Sequence, residues 1–257
     1  MIDIHPTAIV PDTAILGDGC IIGPYCILGK DVVLGKNNIL VSHVIIEGHT
    51  TIGDGNRIFS YAVLGTDPQD LKFGGEPTRL RIGSNNTIRE FVTINRSNQM
   101  AEDTVVGDSN LLMEYMHIAH NCQVGNNCVI ANAVQMAGHI VVGDFATIGG
   151  QTALHQFVHV GTHAFVGGAS AIKKDVAPYT RGQGNPYKTV GLNSVGLMRK
   201  GFSNETIAQI KEIYNLFYRK GLNTSQALAV CDQRNDLSPE QKVFVEFVRG
   251  ADRGLST

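Results

Sequence analysis

Three short segments carry side chains suited to acid–base and oxyanion chemistry: His117-Ile118-Ala119-His120-Asn121, Gly138-His139 and His155-Gln156. Imidazole titrates near neutral pH and suits general-base work, while amide N–H groups can hold developing negative charge. Their spacing matters as much as their types. Gly138 and Gln156 follow His120 in steps of 18 residues, and His139 and Phe157 follow Asn121 in the same steps. If the chain repeats in space every 18 residues, His120, Gly138 and Gln156 stack in one column with rungs about 4.8 Å apart. Asn121, His139 and Phe157 form the next column, and His155 stands beside Gln156. A single outward histidine usually hydrogen-bonds locally and does nothing more, whereas several converging on one patch point to function.

The elements that must position these groups are written as a six-residue grid. Twenty-five aliphatic or Met residues fall on it, from Val10, Leu16 and Ile22 through Leu64, then Ile82, Ile88 and Ile94, then Val106 through Met136 to Ile172. The residue two places earlier is usually small, as at Ala8, Cys20, Cys26, Cys122 and Ala146, and the residue after is often Gly. Neither a helix, near 3.6, nor a simple strand, near 2, explains period six. Short strands joined by tight turns do: the aliphatic residue points inward, the small residue fills the corner, and Gly is expected to supply the turn's backbone angles. Three strands make one triangular coil, the hexapeptide pattern of a left-handed parallel β-helix.

With 257 residues, 43% hydrophobic, and a formal net charge of −2, the chain gives no global argument for nucleic acid or an anionic membrane. No apolar run approaches the ~18 residues of a membrane helix and no signal-peptide pattern opens the sequence, so a cytoplasmic location is expected. Cys20, Cys26, Cys122 and Cys128 sit on the inward small-residue site and are expected to be core thiols rather than disulfides or zinc ligands.

Two stretches leave the grid, 66 to 79 and 96 to 103. Both lack the inward aliphatic and are rich in turn formers, so they are expected to leave the wall as loops, where function often lives. The bland alternative is a pair of tolerated insertions on an inert coil. The period ends near Pro178. After Gly201 a helix capped by Ser203 is expected, then a second after Thr224, and a third opening on the capping box Ser238-Pro239-Glu240-Gln241. The expected organisation is a β-helix over 1–185 and an α-helical domain over 186–257, which also covers the solenoid's apolar end.

Asp70-Leu71-Lys72, Gly75-Glu76-Pro77-Thr78-Arg79-Leu80, Ile88-Arg89-Glu90, Val92-Thr93-Ile94, His117-Ile118-Ala119-His120, Ala137-Gly138-His139, His155-Gln156-Phe157, Gly167-Gly168, Gly191-Leu192-Asn193 and Arg199-Lys200-Gly201-Phe202-Ser203 occur in an order that resembles the acyl-[acyl-carrier-protein]–UDP-N-acetylglucosamine O-acyltransferases of lipid A biosynthesis. The resemblance covers nearly the whole chain. It implies transfer of an (R)-3-hydroxyacyl group from acyl carrier protein to the 3-hydroxyl of UDP-N-acetylglucosamine, with His120 as general base and the Gly138 N–H at the oxyanion. It further implies substrate contacts from Asp70, Lys72, Asn95, His117, Asn121, His139, His155 and Gln156, nucleotide contacts from Asn193 and Arg199, and an acyl-length role for Gly168, whose missing side chain leaves room for a long donor. No cofactor or metal is implied, since a thioester is already activated. Members are homotrimers with sites between subunits. Six Lys or Arg against one Asp in residues 173 to 200 would suit an acidic carrier protein and a diphosphate, or else form an ordinary solvated surface.

Several positions depart from the family pattern. Many members have His where Asn95 stands, Asp where Asn121 follows the base, Glu where Val195 sits, and Gly where Ser97 follows Arg96. Asn121 has no charge with which to strengthen the neighbouring imidazole. The rival readings are N-acylation of a UDP-3-amino sugar, another hexapeptide acyltransferase, and a non-catalytic solenoid acting as a binding module. A three-histidine zinc site of the gamma-type carbonic anhydrase kind needs wider His spacing than His117 and His120 offer.

Overall fold

The computed structural model describes all 257 residues. From Asp3 to Ile172 the chain runs as short strands, most of them two residues long, that pair in parallel into three sheets. Each sheet is one wall of a triangular, left-handed prism. The first wall contains Leu111–Leu112, Val129–Ile130, Thr147–Ile148 and Phe165–Val166; the second, Thr93–Asn95, His117–Ile118, Gln135–Met136 and Ala153–Leu154; the third, Thr104–Val106, Gln123–Val124, Val141–Val142 and His159–Val160. Every grid residue from Ile22 to Ile172 is buried, whereas Val10 and Leu16, beside the open first coil, are only partly so. No helix is long and apolar enough to cross a membrane.

The two irregular stretches are insertions that leave the pairing intact. His117 pairs with Gln135, 18 residues on, but Thr93 pairs with His117 across 24 and Val63 with Thr93 across 30. The extra residues emerge as loops between Val63–Thr66 and Arg79–Ile82, and between Thr93–Asn95 and Thr104–Val106.

The glycine after the inward aliphatic does a different job from the one its position suggests. Left-handed backbone falls instead three residues past the aliphatic, at Asn37, Tyr61, Asn85, Tyr115, Asn121, His139 and Phe157 among others, nearly all without Gly. Gly17, Gly35 and Gly107 are needed because their backbones meet the coil above: a Cβ on Gly17 would lie 2.5 Å from the Gly35 carbonyl carbon. Apart from Gly65, whose φ is 80°, close approach of stacked turns, not turn angle, selects the residue there.

The inward small-residue column also holds more than thiols. Asn38, Asn56, Asn86 and Asn110 stack in it, each Oδ1 accepting the backbone N–H of the next rung at 2.7 to 2.9 Å, up to Cys128. All four are nearly fully buried, and their Nδ2 groups satisfy carbonyls of the neighbouring turns. All five cysteines are buried and free.

Beyond the coils, Thr180–Gln183 joins the first wall and pairs antiparallel with Lys188–Leu192. This hairpin straddles residue 185, so the sheet runs on to Leu192, past the division expected from period alone. Four helices follow: α1 (Ser194–Arg199), α2 (Asn204–Tyr218), α3 (Thr224–Asp232) and α4 (Pro239–Arg249). Ser203 caps α2, Asn223 caps α3, and Ser238 with Gln241 forms the capping box of α4. The sequence reading missed α1, which is too short to show a helical stripe. Ile210, Ile213, Phe217, Phe244 and Val248 form a second core against Ala177, Tyr179 and Leu192 at the end of the prism. The C-terminal tail returns to it: the Asp175 N–H donates to the Gly254 carbonyl at 2.9 Å, and the Asp175 carbonyl accepts the Ser256 N–H at 2.8 Å.

Candidate active site

The turn from the second to the third wall carries His120 and Asn121, and the same turn one coil on carries Gly138 and His139. The His139 N–H donates to the His120 carbonyl at 3.0 Å, and the Phe157 N–H to the Gly138 carbonyl at 3.2 Å, so both columns stack as the 18-residue interval requires. The His120 ring lies against Gly138. A Cβ built there would come within 2.5 Å of its Cε1 and 2.8 Å of its Nε2. The Gly138 N–H donates to no acceptor within the chain.

Asn121 sets the ring. Its Oδ1 lies 3.0 Å from His120 Nδ1 and accepts the Asn98 backbone N–H at 3.1 Å, while its Nδ2 donates to Ser97 Oγ at 2.9 Å and Glu102 Oε2 at 3.2 Å. His139 meets His120 edge to face at 5.3 Å and stacks on Phe157 at 4.6 Å. His117, one wall position earlier, pairs its Nδ1 with Thr93 Oγ1 at 2.7 Å. Burial is the main force pushing both flanking imidazoles below the ordinary histidine range, with the His120 charge acting the same way; the Thr93 contact on His117 and the Glu102 and Asp70 charges on His139 oppose it. A groove of about 580 Å³ beside this edge is lined by Glu102, Asp103, Asn121, His139, Phe157 and His159.

The two loops fold onto the edge and onto each other. Asp70 accepts the Lys72 N–H at 3.0 Å and Asn98 Nδ2 at 2.7 Å, bonds that hold its carboxyl below the usual carboxylate range, the first more strongly. Arg96 pairs with Asp67, donates to the Gly65 carbonyl at 3.1 Å and covers the Phe73 ring. Asp103 holds both Arg79 and Arg81.

His120, Gly138, Asn121, His139, His117 and Asp70 are therefore brought to one edge. His155 and Gln156 follow on the next coil, exposed, with His155 Nδ1 at 3.1 Å from the Gln156 carbonyl. The Lys72 side chain is exposed above the edge. Asn95 is buried rather than presented: its Nδ2 holds Thr66 Oγ1 and the Asp67 carbonyl at the base of the first loop, and its Oδ1 has no partner. The remaining residues lie elsewhere. Gly168 is on the edge between the first and second walls, where a Cβ would meet the Gly150 carbonyl oxygen at 3.1 Å. Asn193 and Arg199 line a cavity of about 600 Å³ on the outer face of the first wall, with Thr147, Phe165, Arg181 and Lys200. The Asn193 side chain is already engaged there, capping α1 through Gly196 N–H at 3.2 Å and donating to the His163 carbonyl at 3.0 Å.

Asn98 and Glu102 were not singled out from the sequence, and Ser97 only as a departure from the family pattern, not as a partner of Asn121. The only signal was their place in a stretch off the grid, which marks a loop without saying where its side chains go. No three His, Cys, Asp or Glu side chains converge as metal donors.

A family model described as UDP-N-acetylglucosamine O-acyltransferase, domain 2, matches residues 175–256, and the bacterial transferase hexapeptide model matches residues 13–48 and 103–138. The chain is 46% identical over 250 residues to an acyl-[acyl-carrier-protein]–UDP-N-acetylglucosamine O-acyltransferase of Verminephrobacter eiseniae, covering 97% of this chain and 95% of that protein. A protein of the same name from Thermodesulfovibrio yellowstonii is 45% identical over 210 residues, 81% of each chain. The crystal structure of the UDP-N-acetylglucosamine O-acyltransferase of Moraxella catarrhalis matches with a TM-score of 0.95 at 45% identity, covering 99% of both chains.

Proposed function

From the premise that this chain belongs to the acyl-[acyl-carrier-protein]–UDP-N-acetylglucosamine O-acyltransferases, we propose that the edge bearing His120 and Gly138 is where its reaction occurs. The protein is an acyltransferase that moves an acyl group from acyl carrier protein to UDP-N-acetylglucosamine in lipid A synthesis. An alcohol is a poor nucleophile until a base takes its proton. His120 Nε2 accepts the proton of the sugar 3-hydroxyl as its oxygen bonds to the thioester carbon. The carbonyl oxygen, now anionic, takes the Gly138 N–H, a fixed donor worth about 3 kcal/mol at such a position. Collapse breaks the C–S bond, and the imidazolium returns its proton to the departing thiolate. The observation that carries this reading is the His120 ring lying against Gly138, whose N–H has no internal acceptor.

In this reading His117, His139, Asp70 and Lys72 receive the sugar and phosphates, His155 and Gln156 border the acyl path, and Asn193 and Arg199 hold the nucleotide. Asn95 contributes its unpartnered Oδ1 from the base of the first loop. The nucleotide cavity and His120 belong to different walls of one prism, so one substrate cannot span both on a single chain; a homotrimer with each site between neighbouring copies supplies the missing half. The donor is a 3-hydroxyacyl carrier protein and the setting the cytoplasm. Mass spectrometry of products formed from hydroxyacyl carrier proteins of several lengths, with UDP-N-acetylglucosamine and its 3-amino analogue, tests the reading. An O-acylated product is expected, and failure with every pair would overturn it.

A further inference from the structure

The neutral amide beside the base is backed by a carboxylate one hydrogen bond further out. Asn121 Oδ1 faces the Asn98 backbone N–H, which can only donate, and Asn121 Nδ2 faces Glu102 Oε2, which as a carboxylate can only accept. Turning the amide over would set NH2 against N–H and oxygen against carboxylate, so its orientation is decided by these partners. The Oδ1 at 3.0 Å from His120 Nδ1 must then accept a hydrogen bond from an Nδ1–H, leaving the Nε2 lone pair free. Glu102 is also held by Gln99 Nε2 at 3.2 Å and stands 3.8 Å from His139 Nδ1.

We propose that Glu102 is a positioning residue for the acyl transfer described above, its charge acting on His120 through the Asn121 amide. The carboxylate polarises the amide and fixes its rotamer, the amide selects the His120 tautomer, and the negative charge favours the imidazolium that forms when Nε2 takes the acceptor's proton. No proton moves to Glu102. The other ionisable groups facing His120 are Asp70 from the first loop and the His117 and His139 imidazoles. Burial favours the neutral form of both imidazoles, and Asp70 reaches the Asn121 amide only by way of Asn98, which leaves Glu102 as the carboxylate that bonds directly to the amide partner of the ring.

The inference rests on the functional reading, and two readouts keep them apart. In Glu102→Gln the side-chain oxygen can still accept from Asn121, so shape is kept and charge is lost. Expected are a kcat about tenfold lower with both KM values nearly unchanged, and an acid limb of the kcat/KM profile displaced to lower pH by about half a unit, because the imidazolium has lost its counter-charge. Moving the charge inward, in Glu102→Gln with Asn121→Asp, should restore both. A Glu102→Gln enzyme with unaltered kcat and acid limb, or a double variant no better than the single one, would overturn the proposal. If the wild-type protein turns over no acyl carrier protein and UDP-sugar at all, the functional reading fails instead. The inference is then decided by NMR titration of the His120 Cε1 proton, whose midpoint must fall in Glu102→Gln.

Discussion

The His120 imidazole rests on Gly138 so closely that position 138 has no room for a side chain: Cβ would stand 2.5 Å from Cε1, 2.8 Å from Nε2 and 3.0 Å from Nδ1. The three nearest atoms all belong to the movable ring, not to the backbone. Gly138→Ala should therefore fold and melt like the wild type while the ring is pushed off its position. Turnover should fall about 100-fold or more, as when an oxyanion donor and its base lose register. Steady-state kinetics beside a melting curve checks this, and normal turnover would remove Gly138 from the site.

His120→Ala removes the base and leaves every coil contact. A loss of about 10²- to 10⁴-fold in kcat is expected, with the melting temperature within about 3 °C of wild type. An unimpaired variant would favour the binding-module reading of the solenoid.

Gly168→Met should narrow the acyl channel and move selectivity towards shorter hydroxyacyl donors. The site tolerates a side chain, since its nearest obstacle is the Gly150 carbonyl oxygen at 3.1 Å from the added Cβ, a contact that a small shift relieves. Competition between donors of different length, resolved by mass spectrometry, measures the effect; unchanged selectivity would take the length-measuring role from Gly168.

Burial lowers the pKa of His117 and of His139, so each binds protons less readily folded than unfolded. Between the folded value and the unfolded value near ~6.5 the unfolded chain carries more protons, and stability rises with pH across that window. Acidification below ~6.5 should therefore lower the melting temperature. His117→Gln should show a shallower fall between roughly pH 7 and 5; equal slopes in both proteins would mean that His117 is not held neutral.

Asn86→Ala breaks the internal amide ladder in its middle: the Asn110 N–H loses its acceptor and the Gly107 carbonyl its side-chain donor, while Asn56 Oδ1 keeps only the backbone N–H of residue 86. A buried polar group left without a partner costs about 1–3 kcal/mol, so a loss of at least ~2 kcal/mol is expected from denaturant unfolding. A variant as stable as wild type would show that the column admits water.

What could be read in advance divides along physical lines. Period six gives every wall residue a phase, so the core, the column of His120 with Gly138, and the exit of both loops followed from counting. The Asn ladder was countable too, since Asn38 and Asn56 share the phase of Cys20 and Cys128, but a polar residue at a core position is not suggested by hydrophobic patterning. Residues off the grid have no phase, and Glu102, Ser97 and Asn98 were therefore invisible as partners of Asn121. Asn193 and Arg199 lie on a wall that a single chain does not bring to His120, a separation that no interval in the sequence expresses.

Asn121 and His139 both occupy the left-handed corner position, with φ of 58° and 60°. A non-glycine residue keeps that backbone only where its surroundings hold it there. The framework of the base is accordingly its least compliant part, and accommodation of two bulky substrates falls to the excursions at 67–78 and 96–103. Directed evolution for new acceptors should find its permissive positions in those two segments, and its lethal ones at the prism's corners.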